Sequence, residues 1–145
     1  SSCCGHHDVH ALFFLVTCVI AAYCGTHGGK DTLKQLTALM THADLVVAPD
    51  TGPAHIASAV GTDVLGLFAA SNPYRSGPYN SLDWCVNRYP EALEKFTGKT
   101  VEQARWGAKA EFEGAMDLIT VADATNMLDR WVEVNPVAKA ESWVR

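Results

Sequence analysis

The chain has 145 residues, of which 48% are hydrophobic and 19% charged, and its formal net charge is −5. This composition supports one globular domain with a packed core, or one half of a two-domain protein, and it excludes an intrinsically disordered chain. The acidic balance and the lack of a basic run predict no nucleic-acid partner, although a local pocket can still bind an anion.

The cysteines and the first thirty residues give little sign of chemistry. The cysteine count is odd and fits no recognisable disulfide framework: Cys3, Cys4, Cys18, Cys24 and Cys85. Free thiols in a reducing, cytoplasmic compartment are expected. No second group at metal-ligand spacing accompanies the histidines beside Cys4, so no metal site is predicted. The apolar run 11–23 is too short to span a bilayer; we interpret 13–20 as a buried strand, with a signal peptide as the alternative.

From residue 31 onward, predicted helices and strands alternate. The pattern predicts a helix over 33–42, a strand over 45–48, a helix over 53–60 that Gly61 ends, and a strand over 64–68. It then predicts a loop over 69–80, a short strand over 84–87, helical turns over 91–96 and 100–109, and a last helix opening at 120–123. The residues expected to be buried on that helix are Ala124, Met127, Leu128, Trp131 and Val132.

This alternation predicts an α/β fold: a Rossmann-like parallel sheet with helices on both faces. Its predicted domain covers residues 31–134, with a separate segment at 1–30 and a tail at 135–145. No internal repeat or low-complexity segment interrupts it. In such sheets ligands bind beyond the carboxyl ends of the strands, which is where a site should be sought.

The most informative motif is the turn at residues 50–55, where an apolar strand ends at Asp50 and a helix begins with Thr51, Gly52, Pro53 and His55. The first N–H groups of a helix have no intrahelical partner and its dipole favours an anion, so the turn is typical of a phosphate site. Gly52 leaves the backbone open to a ligand, Pro53 suits a first turn, and His55 can donate to a phosphate oxygen. Asp50 would repel phosphate, so it is expected to cap the loop or hold a sugar hydroxyl. A plain capped helix with a surface histidine is the alternative.

The second candidate element is the 69–80 loop, which also follows a predicted strand. Carboxyl ends of parallel strands share one edge of the sheet, so we expect this loop on the same rim as the 50–55 turn. Arg75 supplies a fixed positive charge that can pair with a diphosphate, and Tyr74 and Tyr79 can stack on a base or pack the loop. An ordinary surface loop with a solvated arginine is the alternative.

The stretch 33–79 resembles the ADP-heptose:lipopolysaccharide heptosyltransferase family, glycosyltransferase family 9. The resemblance rests on L-V-V-A-P-D-T-G-P-A-H-I-A-S-A-V-G-T at 45–62, V-L-G-L-F at 64–68 and N-P-Y-R-S-G-P-Y at 72–79. M-D-L-I-T-V-A-D-A-T-N-M-L at 116–128 is similar to the terminal helix of the family. The pair Ala69-Ala70 and residues 1–30 depart from the family's pattern.

The resemblance implies that this chain is the second of two Rossmann-like domains, as in the C-terminal half of a GT-B glycosyltransferase. It implies that Thr51 and Gly52 cradle the diphosphate of a nucleotide-sugar such as ADP-heptose, with Asp50 and His55 beside it and Arg75 as a further positive charge. His55 is then the candidate catalytic residue, because it can stabilise the departing diphosphate. Pro53 lies in the same turn.

The remaining expectations also follow from the resemblance. It implies transfer without a metal or other cofactor, to an acceptor sugar of the lipopolysaccharide core, by an enzyme that is cytoplasmic or peripheral at the inner membrane. The general base is expected in a first domain that this chain lacks.

Two other functions stay open on the sequence. A non-catalytic module would keep the nucleotide pocket without transferring a sugar. An inactive structural fragment would cover the exposed faces of a truncated sheet by forming a homo-oligomer.

Overall fold

The computed structural model describes residues 33–135, and the structural statements below concern that range. The elements, in chain order, are α1 (Leu33–His42), β1 (Leu45–Pro49), α2 (Gly52–Ala59), β2 (Asp63–Phe68), α3 (Pro73–Ser76), a 3-10 helix (Tyr79–Trp84), β3 (Val86–Asn87), α4 (Tyr89–Thr97), a second 3-10 helix (Met116–Leu118) and α5 (Val121–Val134). Helices and strands alternate as the sequence pattern predicts.

The three strands form one parallel sheet in the order β1-β2-β3. Val46 lies beside Val64 in the β1–β2 pair, and Leu67 lies beside Val86 in the β2–β3 pair. Every residue of β2 after Asp63 is buried, because this central strand is covered on both faces and paired on both edges.

Helices cover both faces of the sheet. On one face, α1 and α2 pack against a core formed by Met40, Val46, Ala48, Ala54, Ala57 and Val64. On the opposite face, α5 packs against a core formed by Leu65, Leu67, Ala69, Val86, Ile119 and Ala124. Odd and even strand positions separate cleanly between the two cores, as the pleat requires. The predicted fold class is therefore confirmed for the described residues.

Helix α2 lies close to the sheet because small side chains face it. Ala54 and Ala57 are 2% and 0% exposed. Ser58 and Ala59 do not share this role, although both were expected to. Ala59 is exposed, and Ser58 instead hydrogen-bonds the Asn80 side chain and accepts from it through its backbone carbonyl. The 3-10 helix that begins next to Asn80 is thereby fastened to α2.

Several predicted boundaries need correction. The 69–80 loop was expected to lack secondary structure, but it contains α3, because Pro73 suits a first helical turn and the Asn72 side chain accepts from the N–H of Tyr74. The segment 100–109, predicted as a helical turn, forms no helix and consists of short turns and irregular backbone. The predicted turn at 91–96 is a full helix, α4, and the predicted strand at 84–87 is reduced to β3.

The start of α5 is confirmed and its buried face is corrected. Thr120 accepts from the N–H of Asp123, and Asp123 accepts from the N–H of Thr120, which makes a capping box. Trp131 is buried and its indole donates to Asp63. Leu128 and Val132 are 38% and 37% exposed, so the prediction that they are buried is wrong. They lie on the flank of a narrow apolar stripe that packs on the short sheet.

Some predictions lie outside the described residues. They are the strand at 13–20, the cysteines of the first 24 residues and the tail beyond Asn135. The domain boundaries at 30 and 134 stay predictions. Within the described range, no helix combines the length and the apolar character needed to cross a bilayer.

Candidate functional site

The 50–55 turn joins β1 to α2 at the carboxyl edge of the sheet. Thr51 is the N-cap, with an extended backbone at φ −143° and ψ 164°. Its carbonyl accepts from the N–H groups of Ala54 and His55 at 3.1 and 3.4 Å, which occupies two of the donors expected to be free. Among the described residues, the N–H groups of Thr51 and Gly52 have no acceptor. These two donors are what the turn offers to an anion.

The Thr51 hydroxyl is directed away from the helix start. It donates to the carbonyl of Pro49 at 3.3 Å and makes no side-chain cap. Pro53 occupies the first turn as predicted, where its missing N–H costs no hydrogen bond. Gly52 is exposed, and a Cβ built on it would meet no atom within 4 Å. The backbone at the start of α2 is therefore open to a ligand.

Asp50 is the centre of a hydrogen-bond cluster. Its Oδ2 accepts from Ser71 Oγ at 2.7 Å and from Ser76 Oγ at 2.8 Å. Its Oδ1 lies 3.4 Å from Nε2 of His55, which is an ion pair when the imidazole is protonated. Asp50 was expected to cap the loop backbone or hold a sugar hydroxyl; in the structure its carboxylate instead binds side-chain hydroxyls of the 69–80 loop. It thereby fixes that loop to the 50–55 turn.

The ionisation of Asp50 is set by these neighbours. Partial burial raises the pKa of its carboxyl, but the hydrogen bonds from Ser71 and Ser76 and the nearby His55 outweigh that effect and leave the pKa below 3.8. Asp50 is therefore an anion at neutral pH. The side chain of His55 is 54% exposed, so its ring can reach a ligand while it stays beside Asp50.

Arg75 lies on α3, in the loop that Asp50 holds. Its carbonyl accepts from the Tyr79 hydroxyl at 2.8 Å, which fixes the backbone that carries it. Tyr74 and Tyr79 are 68% and 70% exposed. The side chain of Arg75 extends to Gly107, where a built Cβ would lie 2.9 Å from the Arg75 Cζ. Because Ser71 and Ser76 of the 69–80 loop bind Asp50, this carboxylate joins the loop of Arg75 to the 50–55 turn.

The segment 105–110 is a part of the site that the sequence analysis missed. The N–H of Ala110 donates to the carbonyl of Ala70, and the Tyr89 hydroxyl donates to the carbonyl of Ala108, both at 2.7 Å. Lys109 pairs with Glu111 at 2.8 Å, which raises the pKa of the Lys109 ammonium, and weaker charge effects of Asp50 and Arg75 also reach it. No periodic pattern marks this segment, and only its glycine within R-W-G-A-K was a usable signal.

Two clefts lie apart from this cluster. A cleft of about 640 Å³ is bordered by Thr62, Asp63 and Trp131, and one of about 360 Å³ runs along Val86 and Asp123. Neither contains a predicted site residue. Trp106, which precedes Gly107 in the 105–110 segment, is 76% exposed. Within residues 33–135, no three His, Cys, Asp or Glu side chains are grouped so as to hold a metal ion.

We next compared the sequence that forms this site with known protein families. Residues 17–105, more than half of the chain, match the family described as glycosyltransferase family 9 (heptosyltransferase). The chain belongs to glycosyltransferase family 9. The match contains the 50–55 turn and the 69–80 loop, so the resemblance drawn from their motifs is confirmed. It also begins inside the segment 1–30, further upstream than those motifs reach.

Individual relatives agree with the family assignment. The chain is 48% identical over 93 residues to the lipopolysaccharide core heptosyltransferase OpsX of Haemophilus influenzae, which is 64% of this chain and 27% of that protein. It is 48% identical over 65 residues to lipopolysaccharide heptosyltransferase 3 of Escherichia coli, 43% of this chain and 19% of that protein. The chain thus spans about a quarter or less of the length of these curated relatives. No solved structure gave a significant match.

Proposed function

We propose that this chain forms the donor-binding part of a heptosyltransferase that transfers heptose from ADP-heptose to the inner core of lipopolysaccharide. Membership of glycosyltransferase family 9 and the names of the relatives support the reaction class. The observation that carries the proposal is the Asp50 cluster, which holds the start of α2 and the loop of Arg75 beside each other. In this proposal the diphosphate binds between these two groups of donors.

The donor diphosphate is proposed to bind at the start of α2. The N–H groups of Thr51 and Gly52 point out of the helix, and the α2 dipole adds partial positive charge there. The His55 imidazole can donate to a phosphate oxygen, and the Arg75 guanidinium can pair with a second one. Asp50 does not bind the diphosphate in this proposal. It keeps His55 and the 69–80 loop in place, since its carboxylate already has three partners.

The chemistry of this part of the enzyme is stabilisation of a leaving group. When the bond between the anomeric carbon of the heptose and the diphosphate oxygen breaks, negative charge grows on the diphosphate. Donors that are already aimed at that oxygen stabilise the charge without first having to reorganise. The positive charge comes from backbone N–H groups, His55 and Arg75, so the proposed transfer uses no metal ion or other cofactor.

The acceptor side of the reaction is proposed to come from outside this chain. The acceptor is a sugar of the lipopolysaccharide core, and the base that takes the proton of its hydroxyl group belongs to a first domain facing this one. An acceptor built on a lipid would bring the complete enzyme to the cytoplasmic face of the inner membrane.

The proposal is tested by replacing His55 with alanine in a complete enzyme that contains this chain. Heptose transfer from ADP-heptose is measured with lipopolysaccharide core acceptor. We expect kcat to fall by roughly 10²-fold, the size of effect seen when one donor to a developing anion is removed. His42→Ala is the control, because His42 is exposed on α1 and remote from the motif. Unchanged turnover in His55→Ala contradicts the proposed role.

A further inference from the structure

We propose that Gly107 is a positioning residue for Arg75, and that the segment 105–110 forms a third wall of the donor site. This inference rests on the proposed donor site, since it assigns to Gly107 an effect on binding that passes through Arg75. Gly107 lies outside every motif that marked the site in the sequence.

The geometry at Gly107 leaves no room for a side chain. A Cβ built on Gly107 would lie 2.9 Å from both Cζ and Nε of Arg75 and 3.3 Å from its Nη1. Real Cβ atoms do not approach other heavy atoms so closely. The Arg75 guanidinium therefore occupies the space in which any other residue at 107 would begin its side chain. Gly107 also has φ +85°, a conformation in which a Cβ is strained.

The segment that carries Gly107 is fixed relative to the rest of the site. Its far end is bonded to the residue after β2, through the N–H of Ala110 and the carbonyl of Ala70. Its middle is bonded to α4, through the hydroxyl of Tyr89 and the carbonyl of Ala108. Tyr89 is 3% exposed, so this hydroxyl is held in the core. The backbone at 107 is thus a rigid support.

Two cations, Arg75 and Lys109, lie in this part of the structure. The positive charge of Arg75 acts on the Tyr89 hydroxyl and on Lys109, and Lys109 also interacts with Asp50. The two cations repel each other, so an anion placed between them and the start of α2 would be favoured by both. Lys109 is itself paired with Glu111 at 2.8 Å, so the main contribution of the third wall is the support that it gives to Arg75.

A fixed guanidinium binds an anion better than a mobile one. An exposed arginine loses rotamer freedom when it pairs with a ligand, and that loss weakens binding. Arg75 is held at its backbone by Tyr79, and its exposed guanidinium lies against Gly107, whose missing side chain leaves the space for that position. Displacing the guanidinium would remove this advantage while leaving the charge in the protein.

The test is a double-mutant cycle on the 145-residue chain, with ADP as the probe and calorimetry as the readout. Gly107→Ala, Arg75→Ala and the double variant are compared with the unmodified chain. We expect each single change to weaken ADP binding about tenfold and the double variant to bind as Arg75→Ala does, because Gly107 acts only through Arg75. Gly114→Ala is the matched control: its φ is +83°, and its Cβ would lie 3.5 Å from the nearest atom, in Asp117. It should bind ADP as the unmodified chain does.

Each outcome decides between the claims. If the unmodified chain binds ADP and Gly107→Ala binds it equally well, the inference is overturned while the proposed function stands. Additive losses in the double variant also overturn it, because Gly107 would then act independently of Arg75. No ADP binding by the unmodified chain overturns the proposed function and this inference with it. If Gly107→Ala does not fold, Gly107→Asn replaces it in the same cycle, since asparagine tolerates a positive φ better.

Discussion

The hydroxyl of Ser76 donates a hydrogen bond of 2.8 Å to Asp50, which lies 26 positions earlier in the chain. Asp50 directly follows β1, and Ser76 ends the short helix in the loop after β2. A parallel sheet brings these two strand ends to one edge, and this bond, with that from Ser71, ties them together. One carboxylate therefore sets the relative position of His55 and Arg75.

Replacing Asp50 with asparagine should destabilise the fold. The substitution keeps the shape but removes the charge that the two serine hydroxyls and His55 face. Hydrogen bonds to a charged group are worth more than neutral ones, so we expect a loss of about 1–2 kcal/mol in the free energy of unfolding. Urea unfolding measures it. Asp83→Asn, an exposed position, is the control, and a loss no larger than in that control would contradict the role of Asp50.

The same cluster predicts how stability depends on pH. The pKa of Asp50 is lower in the folded chain than the ordinary 3.8, so the cluster contributes its full stability above the ordinary pKa and loses it as pH falls through the folded one. The difference in free energy of unfolding between the unmodified chain and Asp50→Asn should have its full value by about pH 5. It should shrink below about pH 4. A difference that stays the same down to pH 3 would count against a lowered pKa.

Like Asp50, Asp123 is a carboxylate that we expect to hold two elements together, here the start of α5 and the residue before α4. It accepts from Arg88 at 2.6 Å and 3.3 Å, and it closes the capping box with Thr120. Asp123→Ala should cost about 1–2 kcal/mol, because the capping box loses the acceptor for the Thr120 N–H and Arg88 loses a partner. Asp129→Ala, exposed on the same helix, provides the comparison in thermal unfolding. Equal thermal unfolding midpoints for the two variants would show that the Arg88–Asp123 pair adds nothing to the stability of the fold.

Much of the fold could be predicted because its signals are local. The apolar stripe of α1, the Thr120 cap of α5 and the continuous apolar run of β2 each depend on residues within one element. Their bounds agree with the structure to within about one residue. The 50–55 turn and the 69–80 loop could be placed on one rim because parallel strands end at the same edge.

The remaining features depend on contacts that spacing does not encode. Leu128 and Val132 were expected to be buried, but burial depends on how much sheet lies beneath α5. Gly107 belongs to a segment with no periodic pattern. Its role depends on its tertiary contact with Arg75, which is 32 residues earlier in the sequence. The partners of Asp50 are 21 and 26 residues away, so the residue type suggested capping but not which groups it holds.

The central claim is that the 50–55 turn binds the diphosphate of a nucleotide-sugar donor, and calorimetric titration of ADP into this chain tests it most directly. The unmodified chain and His42→Ala should each bind one ADP with the same affinity. His55→Ala should bind it about 10- to 100-fold more weakly, because a donor to a charged ligand is lost. Absence of ADP binding, or equal affinity in His55→Ala, would contradict the account.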